Sequence, residues 1–567
     1  MENKIISMNI LWLDLNSSYS HSSLALPCIH AQIESETDNW DVLRTTINVN
    51  TSTIVRDIVS RNPDIILATA WLFTHEKLHS IINRLKQLLP DIVIAFGGPE
   101  FLGSNEEYLR VNRFINAVFR GEGEQSVNNW LKCINNKNEW KNIPGLCFID
   151  DDDTYFDGGY SRIKDFDKLK SPEESRFFCN DRAFVQFETA RGCFNTCSFC
   201  VSGSDKPVRN LSLDNIRKRL DCYESMGIKS IRLLDRTFNG MSSRAVKMLD
   251  IFNDYAGRLD FNLEVQPSML SREIREKIKD MPSGLLHLEA GIQSLNQNVL
   301  NLSNRLGSLD DSLDGLKYLC SLRNIITHTD LIAGLPGYTF KMLYDDVYKL
   351  SEIKASEIQL ETLKVLPGTE MRRNASKLSL KYSPLPPYEV LQSDSMSMED
   401  LHKSVKLSRI IDFYYNTEIW QDLFQKIMSF EKNFLYDLIV FLSDEILEMP
   451  LSMEKRGLLL IDFCKEKYSQ YLDDISLAWI IGGLSTAKEP AKDLKAYIID
   501  PKIQKEIRLN NNSQSIQELT ILDDFDLIYG STTPLMRYYT FKEYIFGFDR
   551  AVHRQKPVFY GKRKLKK

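Results

Sequence analysis

Long apolar runs are missing from this sequence. Its best apolar stretches, Leu435–Leu442 and Leu477–Leu484, are far shorter than the ~20 consecutive apolar residues that cross a bilayer. The N-terminus carries Glu2 and is interrupted by Asp14, so it lacks the basic start and the unbroken apolar centre of a signal peptide. We therefore expect a cytoplasmic protein with no membrane partner.

An excess of positive charge is also missing. The 567 residues carry a formal net charge of −6, and the sequence pI is about 5.9. The basic run at the C-terminus, Lys562–Lys567, is interpreted as a solvated chain end rather than a binding patch. Because general nucleic-acid binding requires a basic domain or stripe, the sequence predicts no nucleic-acid partner.

Cysteines are scarce, since ten in 567 residues are too few for a disulfide scaffold. Their distribution is uneven, however, because Cys193, Cys197 and Cys200 fall within eight positions. The composition is otherwise that of an ordinary globular protein, with 43% hydrophobic and 26% charged residues, which excludes a disordered chain. At roughly 100–200 residues per domain, the length predicts about three domains.

The N-terminal region, residues 1–175, alternates short apolar runs with amphipathic stretches. This alternation predicts an α/β domain with a doubly wound, Rossmann-like parallel sheet, which binds ligands at the carboxyl ends of its strands. The loops at the predicted strand ends are Asn16–His21, Ala70–Thr74, Gly97–Glu100 and Gly121–Glu124. Glycines in the last two loops let backbone approach a ligand closely, although GGPE and GEGE also suit ordinary turns.

Strand–helix alternation resumes over residues 180–388, with six predicted strands between Phe184 and Val365. Six parallel strands predict a partial (β/α)6 TIM-type barrel, whose chemistry lies at the C-terminal ends of the strands. After Pro384–Pro387 the periodicity becomes helical, so residues 389–567 are predicted to form a mostly helical C-terminal domain.

The clustered cysteines lie in FETARGCFNTCSFC, Phe187–Cys200, directly after the first predicted barrel strand. Three thiolates at C-x3-C-x2-C can ligate three irons of a 4Fe-4S cluster and leave one iron open for another ligand. The alternative is a zinc site in a non-catalytic interaction protein. Zinc sites usually pair two C-x2-C hairpins or add histidines, and no histidine lies near this segment, so we favour iron–sulfur.

This motif, with Phe199 before its last cysteine, resembles the radical SAM superfamily. The resemblance implies that the open iron binds S-adenosyl-L-methionine. An electron from the cluster then cleaves the sulfonium C–S bond and releases a 5′-deoxyadenosyl radical. It also implies a flavodoxin- or ferredoxin-type electron donor.

Residues further along the predicted barrel resemble the family's S-adenosylmethionine contacts: Glu264, Gln293, Arg305 and Asp330. Carboxylates and amides suit the ribose hydroxyls, and a guanidinium suits the methionyl carboxylate. The resemblance places Phe199 and the backbone near Ile332 and Leu366 beside adenine. Asp235 is a weaker candidate, since its position equally suits a cap of the barrel.

A doubly wound domain before such a barrel resembles the cobalamin-binding radical SAM subgroup. The implied cobalamin contacts are Asn16, Ser17, Tyr19, His21, Ala70, Trp71, Gly97, Gly98, Gly121 and Glu122. The sequence contains no His-x-x-Gly, the motif that supplies a histidine to cobalt in other cobalamin proteins. We expect cobalamin with no histidine on its lower face and interpret His21 and His30 as helix-start or packed residues; loss of cobalamin is the alternative.

The resemblance implies a cobalamin-associated radical SAM methyltransferase acting on an unactivated carbon. Methylcobalamin would donate the methyl group, and S-adenosylmethionine would supply both the radical and the replacement methyl. The alternative chemistry is a radical rearrangement, cyclisation or oxidation without methyl transfer. A small molecule or a peptide fits the sequence equally well as substrate.

Overall fold

The computed structural model describes residues 7–18, 23–33, 38–487, 489–496, 525–530, 537–548 and 555–564. Its contacts divide the chain into two compact units, residues 1–346 with 360–404, and residues 347–359 with 405–567. None of the helices in these described ranges is both long enough and apolar enough to cross a membrane.

The first sheet lies in the first unit. Its strands are β1 Asn9–Asn16, β2 Asn39–Thr46, β3 Ile65–Thr69, β4 Val93–Gly97, β5 Ala117–Phe119, β6 Leu146–Ile149 and β7 Tyr155–Asp157. Their order is β2-β1-β3-β4-β5-β6-β7, parallel from β2 to β5 and antiparallel beyond. The helices here are α1 Ala25–Ala31, α2 Thr51–Ser60, α3 His75–Leu88, α4 Glu106–Val111, α5 Glu124–Lys132 and α6 Lys137–Trp140.

Both faces of this sheet are covered, which confirms the doubly wound prediction. Residues 10–13 of β1 are all buried, because alternate side chains enter separate cores on opposite faces. Leu13 packs in the core that includes Ile54 of α2. Trp12 packs in the core that includes Trp130 of α5. The strand order reverses between β1 and β3, so the ligand crevice of this sheet lies at their carboxyl ends.

The second sheet belongs to the predicted barrel. Its strands are β8 Val185–Phe187, β11 Ser230–Leu233, β12 Asp260–Val265, β13 Leu286–Gln293, β14 Ile326–Ala333 and β15 Glu357–Thr362, and a short hairpin pairs β9 Ala190–Arg191 with β10 Arg209–Asn210. The order is β15-β14-β13-β12-β11-β8, with parallel pairing from β8 to β14, as a partial (β/α)6 barrel requires. The helices are α7 Leu213–Ser225, α8 Ser242–Asn253, α9 Arg272–Lys279, α10 Gln297–Leu302, α11 Leu309–Ser321, α12 Phe340–Ile353 and α13 Glu370–Arg373.

The barrel strands alternate in burial, which sorts their side chains by chemistry. In β13 and β14, Leu288 and Leu331 are fully buried, whereas the intervening Glu289 and Asp330 are only partly buried. One face of the sheet is therefore apolar and the other presents carboxylates.

The C-terminal region begins with the short pair β16 Lys381–Tyr382 and β17 Val390–Gln392, followed by helices α14 Met398–Ile410, α15 Gln421–Phe430, α16 Phe434–Phe441, α17 Asp444–Glu448, α18 Met453–Lys467 and α19 Leu472–Ile481. The predicted helical character is confirmed. An antiparallel sheet, which the sequence analysis did not predict, follows the helices in the order β18-β20-β21-β22-β19. Its strands are β18 Lys495–Ala496, β19 Phe525–Gly530, β20 Arg537–Phe541, β21 Tyr544–Phe548 and β22 Phe559–Arg563.

Candidate active site

The cysteine loop leaves β9 at Gly192 and returns through Asp205 to β10. Gly192 has φ of +89°, and a Cβ there would lie 2.4 Å from the Asp205 carbonyl oxygen, so glycine is required. The Cys193 N–H donates to that same carbonyl at 3.2 Å. Cys193 and Cys197 are buried and Cys200 is partly exposed.

The three thiols of this loop leave a zinc site incomplete. A structural zinc takes four protein ligands, and the loop supplies three cysteines. Burial raises the pKa of the Cys197 thiol, and the adjacent Arg305 opposes that shift. Three thiols on one wrapped loop thus fit the 4Fe-4S cluster better than the zinc alternative.

Buried amides hold this loop in place, and the sequence analysis missed them. Asn195 Nδ2 donates to Gln266 Oε1 at 2.9 Å. Gln266 in turn exchanges hydrogen bonds with Asn239, through its backbone N–H at 2.9 Å and its carbonyl at 2.8 Å. All three residues are at most 4% exposed. The signal in the sequence was an amide within the C-x3-C motif, but its partners lie more than 40 positions away.

Three of the predicted S-adenosylmethionine contacts converge above Gly291 of β13. A Cβ placed on Gly291 would lie 2.7 Å from Gln293 Nε2, 3.7 Å from Arg305 Nη2 and 3.9 Å from Asp330 Oδ2. A register shift between Gly291 and Gln293 and the positive φ of Gln293, 72°, turn that side chain back over the glycine. Non-glycine residues in this backbone region are uncommon and concentrate at functional sites.

Neighbouring cations compensate the charge of the carboxylates beside this point only in part. Burial, with Glu289 adding to it, raises the pKa of Asp330 to about 7. Burial also raises the pKa of Glu264 to about 7, although Arg236 lies 4.0 Å away. S-adenosylmethionine carries a sulfonium and an ammonium group, so a partly buried acidic face suits it. These residues fit the cofactor.

Three of the other predicted S-adenosylmethionine contacts are partly exposed, and the weaker candidate Asp235 has a structural role. Phe199, Ile332 and Leu366 are all partly exposed, and Leu366 also accepts a hydrogen bond from Thr369 Oγ1 at 2.7 Å. Asp235 is instead a cap, because its carboxylate accepts from the backbone N–H groups of Thr189 and Ala190 at 2.8 and 2.9 Å. Burial raises its pKa to about 6.

At the crevice of the first sheet, Asn16, Ser17 and Trp71 have accessible surface. Trp71 is 42% exposed and Phe73 is 58% exposed, which is unusual for large rings and leaves apolar surface at the end of β3. These features fit a wide macrocycle such as cobalamin. Two further predicted contacts, Tyr19 and His21, lie outside the described residues.

Four other predicted cobalamin contacts have structural roles of their own. Ala70 is fully buried, and a Cβ on Gly98 would lie 2.7 Å from its carbonyl oxygen. Gly97 accepts the Ala70 N–H at 2.8 Å. A Cβ on Gly121 would lie 2.3 Å from the Ser161 carbonyl oxygen. Packing therefore explains both positive-φ glycines without a ligand.

Glu122 is committed to an ion-pair network that links the first sheet to the cysteine segment. Its carboxylate lies 3.1 Å from Arg191 Nη1 and 2.7 Å from Arg209 Nη2. Arg191 also pairs with Glu124 at 2.6 Å and with Glu188 at 2.9 Å. This arrangement gives Glu122 a positioning role, and its contact with cobalamin stays a prediction.

His30 is a packed residue, as interpreted from the sequence. It is 6% exposed, its Nδ1 lies 2.9 Å from Ser175 Oγ, and its ring packs edge-on against Phe177. The rings of His75 and His79 contact each other at a tilt of 35°, with their centroids 4.5 Å apart. Burial lowers the pKa of each to about 4, so both are neutral at pH 7.

Comparison with known proteins agrees with this geometry. Residues 187–347 match the Radical SAM superfamily model, residues 13–130 match the B12 binding domain, and residues 376–475 match a protein of unknown function, DUF4080. The chain therefore contains a radical SAM domain and, before it, a B12 binding domain. The radical SAM domain implies a 4Fe-4S cluster and S-adenosylmethionine, and the B12 binding domain implies cobalamin.

Particular relatives are distant. The chain is 20% identical to the cobalamin-dependent radical SAM methyltransferase TokK of Streptomyces tokunonensis over 54% of its length, and it spans about half, 48%, of TokK. It is 24% identical to tRNA-2-methylthio-N(6)-dimethylallyladenosine synthase of Acinetobacter baylyi over 48% of this chain and 57% of that protein. The fold resembles the cobalamin-dependent S-adenosylmethionine radical enzyme OxsB, with a TM-score of 0.57, 13% identity, and 84% and 78% of the two chains covered.

Proposed function

We propose that this enzyme transfers a methyl group to an unactivated carbon of a small-molecule or peptide substrate. The observation that carries the proposal is the joint presence, in one compact unit, of the cysteine loop and of the crevice at the ends of β1 and β3. The methyltransferase name of TokK supports it. When bound, the cluster supplies the electron that cleaves S-adenosylmethionine, and cobalamin supplies a carrier for the methyl group.

The chain's own residues bind and orient these groups. Cys193, Cys197 and Cys200 hold the cluster, and the buried amides of Asn195 and Gln266 keep their loop fixed. Asp330, Glu264 and Gln293 accept from or donate to the ribose and amino groups of S-adenosylmethionine. Their partial burial reduces competition from water, which strengthens each contact.

The experiment measures both products of S-adenosylmethionine cleavage by anaerobic enzyme loaded with cluster and cobalamin. If the enzyme transfers methyl groups, it should form S-adenosylhomocysteine before substrate is added, in an amount that matches the bound cobalamin. Once substrate is present, it should also form 5′-deoxyadenosine. Release of 5′-deoxyadenosine alone would contradict methyl transfer and favour rearrangement, cyclisation or oxidation.

The partners are part of this proposal. A flavodoxin- or ferredoxin-type protein is the proposed electron donor, and the cytoplasm is the proposed location. The absence of a nucleic-acid partner stays a prediction from the net charge of −6, and it is weighed against a relative named for a tRNA modification.

A further inference from the structure

Arg305 lies between the cysteine loop and β13, with both terminal nitrogens engaged. Nη1 donates to Cys197 Sγ at 3.5 Å. Nη2 donates to the carbonyl oxygen of Gly291. A bidentate grip on a carboxylate uses these same two nitrogens, and here each has one N–H left. The contacts already made therefore leave Arg305 one N–H on each terminal nitrogen for its predicted role, binding the methionyl carboxylate.

The cysteine loop itself sets the position of Arg305. Ser198 N–H donates to the Ser303 carbonyl at 2.9 Å, and Thr196 Oγ1 donates to the Asn304 carbonyl at 2.8 Å. Asn195 Oδ1 accepts from the Leu306 N–H at 3.0 Å. These three hydrogen bonds, two to the residues before Arg305 and one to the residue after it, fix its backbone to the residues between the cysteines.

The surroundings of the other buried cysteine differ. Cys193 Sγ accepts from the Asn195 N–H at 3.4 Å and lies 3.7 Å from Thr237 Oγ1. Both of these groups are neutral, whereas the donor at Cys197 is a guanidinium. Hydrogen bonds and charge at cluster sulfurs are among the main determinants of a cluster's reduction potential.

We propose that Arg305 donates a charge-assisted hydrogen bond to the Cys197 thiolate and thereby raises the reduction potential of the cluster. Reduction adds one negative charge to the cluster, so a cation in contact with its sulfur stabilises the reduced state more than the oxidised state. A cluster that must accept an electron from a ferredoxin-type donor requires such easier reduction. The proposal rests on the proposed function, because it presupposes the cluster.

The test is a potentiometric titration of the anaerobic full-length enzyme, without S-adenosylmethionine, followed by electron paramagnetic resonance of the reduced cluster. Arg305→Gln should shift the reduction equilibrium at least tenfold towards the oxidised form, which is about 59 mV for one electron. Arg305→Lys keeps the charge and should shift it less. Arg232→Gln is the control, because Arg232 contacts Glu289 at 3.3 Å on the same sheet.

A second measurement needs no variant. In pulsed electron paramagnetic resonance experiments, enzyme labelled with 15N-arginine should show a hyperfine coupling between an arginine nitrogen and the reduced cluster. An unchanged potential in Arg305→Gln, or no arginine coupling in the wild type, would overturn the proposal. Failure of the wild type to assemble any cluster would instead overturn the proposed function, so the two failures are distinguishable.

Discussion

We expect the three cysteines of the loop, and none of the remaining cysteines, to ligate the cluster. Cys222 lies on α7 and Cys320 on α11, in helices that flank the barrel sheet. Neither helix is part of the loop between Gly192 and Asp205 that carries the C-x3-C-x2-C motif. Cluster ligation is therefore expected from the loop alone.

Alanine at Cys193, Cys197 or Cys200 should abolish cluster loading, because two thiolates cannot hold a four-iron cluster against solvent. Iron and sulfide analysis of anaerobically reconstituted protein measures this. Cys222→Ala and Cys320→Ala are the matched controls and should keep the wild-type iron content. Full iron in any single loop variant would remove that residue from the ligand set.

Asp330 gives the unloaded protein a pH dependence whose sign follows from its raised pKa. Burial moves the pKa from 3.8 to about 7, so the carboxyl group stabilises the fold fully below the lower value and loses that contribution as pH rises through 7. The thermal midpoint should therefore fall as pH rises from about 4 to about 7 and level off above that. Asp330→Asn should flatten this fall, since each pKa unit is worth about 1.4 kcal/mol. Scanning fluorimetry without S-adenosylmethionine measures it, and an equally steep fall in the variant would contradict the assignment.

The cysteine loop as an element depends on distant amides. Gln266→Ala leaves the buried Asn195 amide without its acceptor, which costs about 1–3 kcal/mol. We expect the variant to fold and to lose its cluster to a chelator roughly fivefold faster or more. Gln392→Ala removes an exposed amide that contacts Lys381 at 3.1 Å and serves as the control. Equal rates of cluster loss in both variants would argue against the amide network.

Local patterns predicted most of these elements, and contacts between distant residues account for what they missed. Strands β1, β3 and β13 carry apolar runs or alternation, and the C-x3-C-x2-C spacing is visible in the sequence itself. The backbone reversal at Gln293 and the contact of Arg305 with Cys197 depend on a register shift and on loop packing, which no local pattern encodes. The C-terminal sheet was missed because its strands are short, and β19 is almost wholly exposed after Phe525.

Within the first unit, buried ion pairs join the B12 binding domain to the barrel. Arg191→Met removes the cation that pairs with both Glu122 and Glu124. Each carboxylate then lies buried with part of its charge compensation lost, which costs about 3–5 kcal/mol. We expect a lower thermal midpoint by calorimetry, together with a broadened or split transition. Arg272→Met breaks only an exposed pair with Glu276 and should change stability by less than ~0.5 kcal/mol. A midpoint in Arg191→Met equal to that of Arg272→Met would contradict the linking role.

The same ion pairs determine how this protein would behave if its chain were cut. A fragment ending near residue 175 would present Glu122 and Glu124 with no arginine beside them. The remaining fragment would present Arg191 and Arg209 at the matching position. Because ion pairs from Arg191 and Arg209 to Glu122 and Glu124 cross this cut, the two pieces should reassociate when produced together, and added salt should weaken their reassembly.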